Sequence, residues 1–301
     1  MLSVGSMKRL ILSLIGFTFI IFIFGTVTFA WVSMAKINNL DGISLTASSG
    51  DELEISYDGI NYQTTLTHNR STQHIYLKDV TSLDGKTFAR GPSHEGVCAI
   101  INEDYISFDL YFRSLRSEKG IYVIADTDLG TKVTSNGIEF VPKVDYIEQN
   151  YELVLAQSVR TYYAKDAVRM SFNEMDETDQ MIKTVIYDPS GNESRGFGKW
   201  YGAHSYYNAR THQDLALPVA FPETIYELSK MDPFNPYQAL SNNSLIAVMQ
   251  ESNMISEEGK TYNTAKVRIF IWIEGWDADA IDGILQDQLT VQLQFKLAHL
   301  A

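Results

Sequence analysis

From Leu289 to Leu297 the side chains alternate without a break. Leu289, Val291, Leu293, Phe295 and Leu297 fall on one side, and Thr290, Gln292, Gln294 and Lys296 on the other. A period of two sends neighbours to opposite faces of an extended chain, so this stretch predicts a strand with one buried face. Ile106, Phe108, Leu110 and Phe112 alternate in the same way with Ser107, Asp109, Tyr111 and Arg113. Val267–Ile273 is largely apolar on both sides, the pattern of a strand covered from both. Shorter strand candidates are Leu53–Tyr57, closed by an Asp58-Gly59 turn, then Ile121–Ala125, Ile138–Val141, Val168–Phe172, Ile182–Tyr187 and Leu245–Met249. Many short strands between Gly, Asn, Asp and Ser clusters predict a mainly β chain. Its simplest closure is an antiparallel β-sandwich of jelly-roll type.

Helix signals are few. Tyr146–Tyr163 has good helix formers, with Ile147, Leu153, Leu155 and Val159 near helical spacing, and Phe221–Leu228 has Pro222 at an early position. Residues 173–244, polar and aromatic with Pro218, Pro222, Pro233 and Pro236, read as an insertion into a single domain spanning 31–301.

The N-terminus carries a different signal. Lys8 and Arg9 precede 26 uncharged residues, Leu10 to Ala35, rich in Leu, Ile and Phe. A charged start followed by an apolar run marks export, and the run is long enough for a membrane helix, which needs roughly 20 residues. Residues 1–30 therefore read as a signal peptide, or as an anchor extending to about 35. Thr28 and Ala30 are small residues at the −3 and −1 positions of a cut before Trp31, and Ser33-Met34-Ala35 offers a second site. The chain after this segment is expected outside the cell, secreted or at the surface, or held in the plasma membrane by an uncleaved anchor.

Composition limits the partners. The formal charge is −13, and loss of residues 1–30 removes two positive charges and no negative ones, giving −15. No basic run or basic amphipathic helix is present, which argues against nucleic acid and anionic lipid as partners. Cys98 is the only cysteine, so no intramolecular disulfide is available, and it reads as buried packing.

No familiar catalytic motif occurs: there is no P-loop, no Gly-x-Ser-x-Gly, no His-Glu-x-x-His and no Gly-x-Gly-x-x-Gly after a strand. His204, His212 and Asp214 are the only local concentration of zinc-ligand types. Asp277, Asp279 and Asp282 place hard oxygens close together, as Ca²⁺ requires, but the alternation breaks at Ile281 and no Glu closes the loop; a strand-terminating loop is the simpler reading. Two acids can meet in space from distant strands, so a hydrolase using two carboxylates stays open, and the alternative function is an extracytoplasmic carbohydrate-binding or carbohydrate-active protein. Trp200, Tyr201, Tyr206, Tyr207 and Phe234 could stack on sugar rings or form the core of the insertion, and Trp272 is a further candidate glycan contact. No cofactor is implied, and the residues point to a non-enzymatic protein.

The run Gly25-Thr26-Val27-Thr28-Phe29-Ala30-Trp31-Val32-Ser33 resembles the end of SipW-dependent signal peptides, as in the TasA-like and camelysin-like matrix proteins of Gram-positive bacteria. Leu53–Gly59, Ala167–Phe172 and Lys266–Gly275 with Asp277 and Asp279 look like stretches in exported Gram-positive proteins that carry such signals. The resemblance implies cleavage after Ala30 by a SipW-type signal peptidase. It further implies a secreted β-sandwich that self-associates into fibres or biofilm matrix, each subunit lending an N-terminal strand to its neighbour. Ile37–Ala47, with Leu40, Ile43 and Leu45, would be the lent segment or the first strand of its own sheet.

Overall fold

The structure is a computed structural model, and it describes residues 38–47, 53–68, 76–125, 130–148, 152–195, 203–213, 223–284 and 286–301. All of them belong to one compact unit that begins at Ile37. The Leu10–Ala35 run, the Ala30–Trp31 junction, Trp200, Tyr201 and Asp214 lie outside the described residues. Among the described residues no helix is long and apolar enough to cross a membrane.

The chain is mainly β, with two large sheets. The first has the order β17 (Leu245–Val248), β8 (Gly120–Ile124), β20 (Gln288–Ala298), β1 (Asn38–Ala47), β3 (Thr65–His68). Two further strands join it, β4 (Tyr76–Leu77) against β1 and β9 (Lys132–Ser135) against β20. The pairing of β1 with β20 is parallel, with Ile43 opposite Val291 and Leu45 opposite Leu293, so this sheet is mixed rather than purely antiparallel.

The second sheet has the order β16 (Thr224–Ile225), β15 (Met181–Tyr187), β14 (Val168–Met175), β19 (Thr261–Glu274), β5 (Asp79–Thr81), β6 (Ala89–Arg90). Three more strands extend it: β7 (Ile106–Ser114) and β18 (Gln250–Ile255) on β19, and β2 (Glu54–Ser56) on β7. Two small ribbons, β10 (Ile138–Phe140) with β13 (Arg160–Tyr162) and β11 (Tyr146–Ile147) with β12 (Leu153–Val154), complete the strands among the described residues.

Alternation explains the core. On β7 every second residue from Ile106 to Ser114 is buried, as the sequence pattern requires. Ile106, Phe108, Leu110 and Phe112 share one apolar cluster with Ile43 and Leu45 of β1, Ile121 and Val123 of β8, and the inward residues of β20. The Phe112 and Phe295 rings, one from each sheet, meet edge to face at 5.2 Å, a geometry that suits the ring quadrupoles. The second half of β19 is covered twice, as expected. Val267, Ile269, Ile271 and Ile273 enter the shared cluster, while Phe270 and Trp272 pack on the opposite face with Val80, Phe88 and Tyr105.

Several sequence expectations are corrected. Tyr146–Tyr163 is not a helix but carries β11, β12 and β13. The apolar residues that suggested a helical stripe, Leu153, Leu155 and Val159, are exposed, and the buried ones are Tyr146, Val154 and Tyr162. Of Phe221–Leu228, residues 221 and 222 lie outside the described residues, and the rest hold the short strand β16, parallel to β15, where the β-branched Thr224 and Ile225 suit extended backbone. The one α-helix among the described residues is α1, Ala203–Thr211, inside the stretch read as an insertion. That excursion begins only after Tyr187, because residues 173–187 continue β14 and return as β15. Cys98 is exposed, at an isolated bridge to Ala89, and not packed in the core. Finally, β20 has a polar outer face only as far as Gln292. Beyond it Gln294 and Lys296 are buried too, since Thr131 bonds the backbone of Gln294 and Tyr237 lies 5.6 Å from the Lys296 ammonium.

Candidate functional site

The loop that follows β19, from Glu274 to Ile284, is where charge concentrates. Its backbone folds through successive tight turns, with Asp277 N–H donating to Glu274 O, Ala280 N–H to Asp277 O and Ile284 N–H to Ile281 O. Turning of this kind removes the shared side that a spacing of two would have in an extended chain. The three aspartates therefore point to three places.

Asp277 faces inward. Arg169, in the second position of β14, donates through Nη2 to Asp277 and through Nη1 to Val168 O at 2.9 Å. The same Nη2 lies 3.0 Å from Asp188 Oδ2, at the end of β15. The approach there is not a hydrogen-bonding one, so Oδ2 is held by charge alone. Asp188 Oδ1 accepts from Ser190 N–H at 2.9 Å and from its hydroxyl at 2.7 Å. Glu274 stands beside them, accepting from Trp272 Nε1 at 3.0 Å and from Trp276 N–H at 3.2 Å. All four charged groups are buried.

Three carboxylates thus face one guanidinium in the buried interior, and desolvation favours keeping protons. Burial pushes the Glu274 carboxyl up to about 7 against the pull of Trp272 and Arg169. It pushes Asp277 and Asp188 upward as well, with Arg169 opposing in both cases. The arrangement ties the start of β14, the end of β15 and the end of β19 together. None of the four residues lines either of the two hollows that flank the loop.

Asp282 and Asp279 face those hollows. Asp282 lines a cleft of ≈ 460 Å³ together with Tyr206, Tyr207 and Arg210 of α1 and with Arg90. Helix α1 is seated by Tyr206, whose buried ring meets Tyr146 at 5.2 Å and Phe140 at 5.8 Å, and by Ser205, whose hydroxyl accepts from Ile147 N–H at 2.9 Å. Asp282 Oδ2 then accepts from Tyr206 Oη and Arg210 Nη1, both at 3.0 Å. Across the cleft Arg90 is fixed through Nε to Asp104 at 2.5 Å. Asp279 lines the second hollow, of ≈ 320 Å³, with Glu148, Asp166, Ser190 and Asn192. There Tyr162 donates to Glu148 and pairs with the Tyr146 hydroxyl, and burial raises the Tyr162 phenol well above its ordinary value.

The calcium candidates Asp277, Asp279 and Asp282 are therefore not gathered. Among the described residues no group of three His, Cys, Asp or Glu side chains is placed to hold a metal. His212 is exposed just past α1. Trp272 is buried and cannot reach a glycan, and Phe234 is exposed. The feature that sequence reasoning missed is Arg169. Its signal was a lone charge inside Ala167–Phe172, an otherwise strand-like segment, since a charge buried in a strand must find counter-charges.

Compared with protein-family models, with curated proteins and with solved structures, the chain matches none.

Proposed function

We propose that this chain is an exported, surface-associated structural protein. On this reading its two large sheets form a sandwich, and the Asn38–Ala47 strand is its assembly element. A signal peptidase of the SipW type would cut after Ala30 and leave that strand close to the new N-terminus. The supporting observation is the place of β1. It is the first described strand, it lies parallel to β20 near the chain's other end, and Ile43, Leu45 and Ala47 fill the core from it. A parallel neighbour is never joined by a tight hairpin. The same strand from another subunit would make identical main-chain bonds and fill identical pockets, which is the logic of strand addition.

The test uses Ser44→Cys with Gln292→Cys in a Cys98→Ser background, because residues 44 and 292 are register partners and neither is buried. Paired Cα atoms in adjacent strands fall within the span a disulfide bridges, roughly 4.4–6.8 Å. In protein recovered from the cell surface, strand exchange yields disulfide-linked ladders of subunits and filaments by electron microscopy. Monomers that carry only an internal disulfide, with no filaments, overturn the proposal.

A further inference from the structure

The cleft between α1 and the Arg90–Gly96 loop is built for a ligand, and we infer that it binds a neutral carbohydrate of about disaccharide size, independently of any strand exchange. Its volume of ≈ 460 Å³ falls in the range of small-molecule sites, roughly 300–1,000 Å³.

The two tyrosines of the cleft have different work. Tyr206 is buried, committed to Phe140, Tyr146 and Asp282. Tyr207 is only half-buried, and its hydroxyl reaches Gln213 Oε1 at 3.3 Å. Among the described residues no other ring packs on it. An aromatic face at the wall of a cleft that also carries charged side chains is an apolar platform for the C–H face of a sugar ring.

The polar groups match hydroxyls better than they match an anion. Arg210 spends Nη1 on Asp282, and Arg90 spends Nε on Asp104. A guanidinium has five donors in a fixed fork, so each keeps donors over. Arg210 is offset by Asp282, Arg90 shares Asp104 with Lys78, and Asp79 and Asp282 line the cleft beside the two arginines. The cleft therefore has no excess positive charge, in a chain whose formal charge is −13. Donors and carboxylate acceptors side by side suit a hydroxyl, which both gives and accepts a hydrogen bond.

The glycines of the opposite wall let its backbone segments pack closely on one another. A Cβ at Gly96 would lie 2.4 Å from Arg90 O, and one at Gly275 would lie 2.5 Å from Gly91 O. Real side chains there would displace backbone of the wall.

The experiment titrates the full chain, in a detergent without a sugar headgroup, with cellobiose, maltose and N,N′-diacetylchitobiose by calorimetry, with inorganic phosphate and galacturonate alongside. At least one disaccharide binds saturably. Tyr207→Ala and Arg210→Ala each weaken it about tenfold or more, and Tyr207→Phe retains it because the ring face remains. Three results overturn the inference. These are no saturable binding of any of the three disaccharides, binding unchanged in both alanine variants, or binding of phosphate or galacturonate in place of the neutral sugars.

Discussion

Arg169 on β14 and Asp277 in the loop after β19 form a buried ion pair across 108 residues of chain. Arg169 serves Asp188 as well, so its removal leaves two carboxylates in the interior without a counter-charge. Breaking such a pair from one side typically costs about 3–5 kcal/mol, whereas replacing the whole group by uncharged residues is often close to neutral. Arg169→Met is therefore expected to lower the urea midpoint steeply. Adding Asp188→Asn and Asp277→Asn to it restores a large part of the loss. If the triple variant is as unstable as the single one, the energy lies in packing and not in charge.

Stability also depends on pH in a defined direction. The Glu274 carboxyl is raised in the folded chain from 4.5 to about 7. A raised acid stabilises the fold fully below its unfolded pKa, and that contribution is lost as pH climbs through the folded value. Carboxylates lowered by ion pairing, such as Asp104 and Asp109, are ionised in both states above about pH 5.5 and add little slope there. Between pH 5.5 and 7.5 the wild-type chain is expected to lose about 2 kcal/mol through Glu274. Glu274→Gln keeps a neutral side chain in place and should remove that part of the slope. The comparison is of urea midpoints at the two pH values.

How much of this was legible differs from element to element. Strand β7 was readable because one face stays buried along its length, and β19 from Val267 onward because both of its faces are largely buried there. The reading of β20 held only as far as Gln292, since what covers Gln294 and Lys296 comes from distant chain around Thr131 and Tyr237. Tyr146–Tyr163 misled for a related reason: a ribbon packed on α1 buries tyrosines and leaves leucines outside. The pairings of Arg169 and the cleft around Tyr207 join segments far apart in sequence, and no local pattern encodes them.

The Asp84-Gly85 turn makes a sharper demand than most. Gly85 has φ +66, and a Cβ on it would sit 2.8 Å from Ile186 Cγ1 and 3.0 Å from Ser171 Cβ, both on the second sheet. Gly85→Ala therefore combines a left-handed backbone with overpacking, each worth on the order of 1–3 kcal/mol. Gly191, also at positive φ but with no close neighbour except Tyr226 O at 3.8 Å, is the control. Its alanine variant is expected to cost about 1 kcal/mol, from the backbone alone. Equal melting temperatures for the two variants would show that the turn can move away from Ile186.

Strand β1 should reveal its weight through a pair of variants. Leu45 is buried in the shared core, and Thr46, its neighbour, is not. Leu45→Ala is expected to cost about 2–5 kcal/mol, the usual range for a cavity in a packed interior. Thr46→Ala, on the other face, stays within about 0.5 kcal/mol. The measurement is denaturant unfolding of the two proteins, and near-equal values would mean that β1 is seated more loosely than its register with β20 implies.

The edge strand β17 is guarded in an unusual way, and this gives a last prediction. Two of its backbone groups are taken by side chains from the other sheet: Lys183 Nζ donates to Leu245 O at 2.6 Å, and Val248 N–H donates to Glu174 Oε1 at 2.8 Å. Desolvation lowers the Lys183 ammonium below its ordinary value, with Glu174 opposing, so the contact is made partly out of water. Unpaired edge groups are a template for another strand, and charged side chains are a usual means of blocking them. Lys183→Met strips the carbonyl of its donor, and Glu174→Leu strips the amide of its acceptor. Each is expected to cost about 1–3 kcal/mol, the penalty for a buried group left without its bond. Made in the Ser44→Cys, Gln292→Cys, Cys98→Ser chain, in which an internal 44–292 disulfide locks β1, the double variant should also associate through the freed edge, seen as a concentration-dependent rise in hydrodynamic radius that the locked chain with Lys183 and Glu174 intact does not show. A double variant that stays monomeric would mean that the short length of β17 protects the edge by itself.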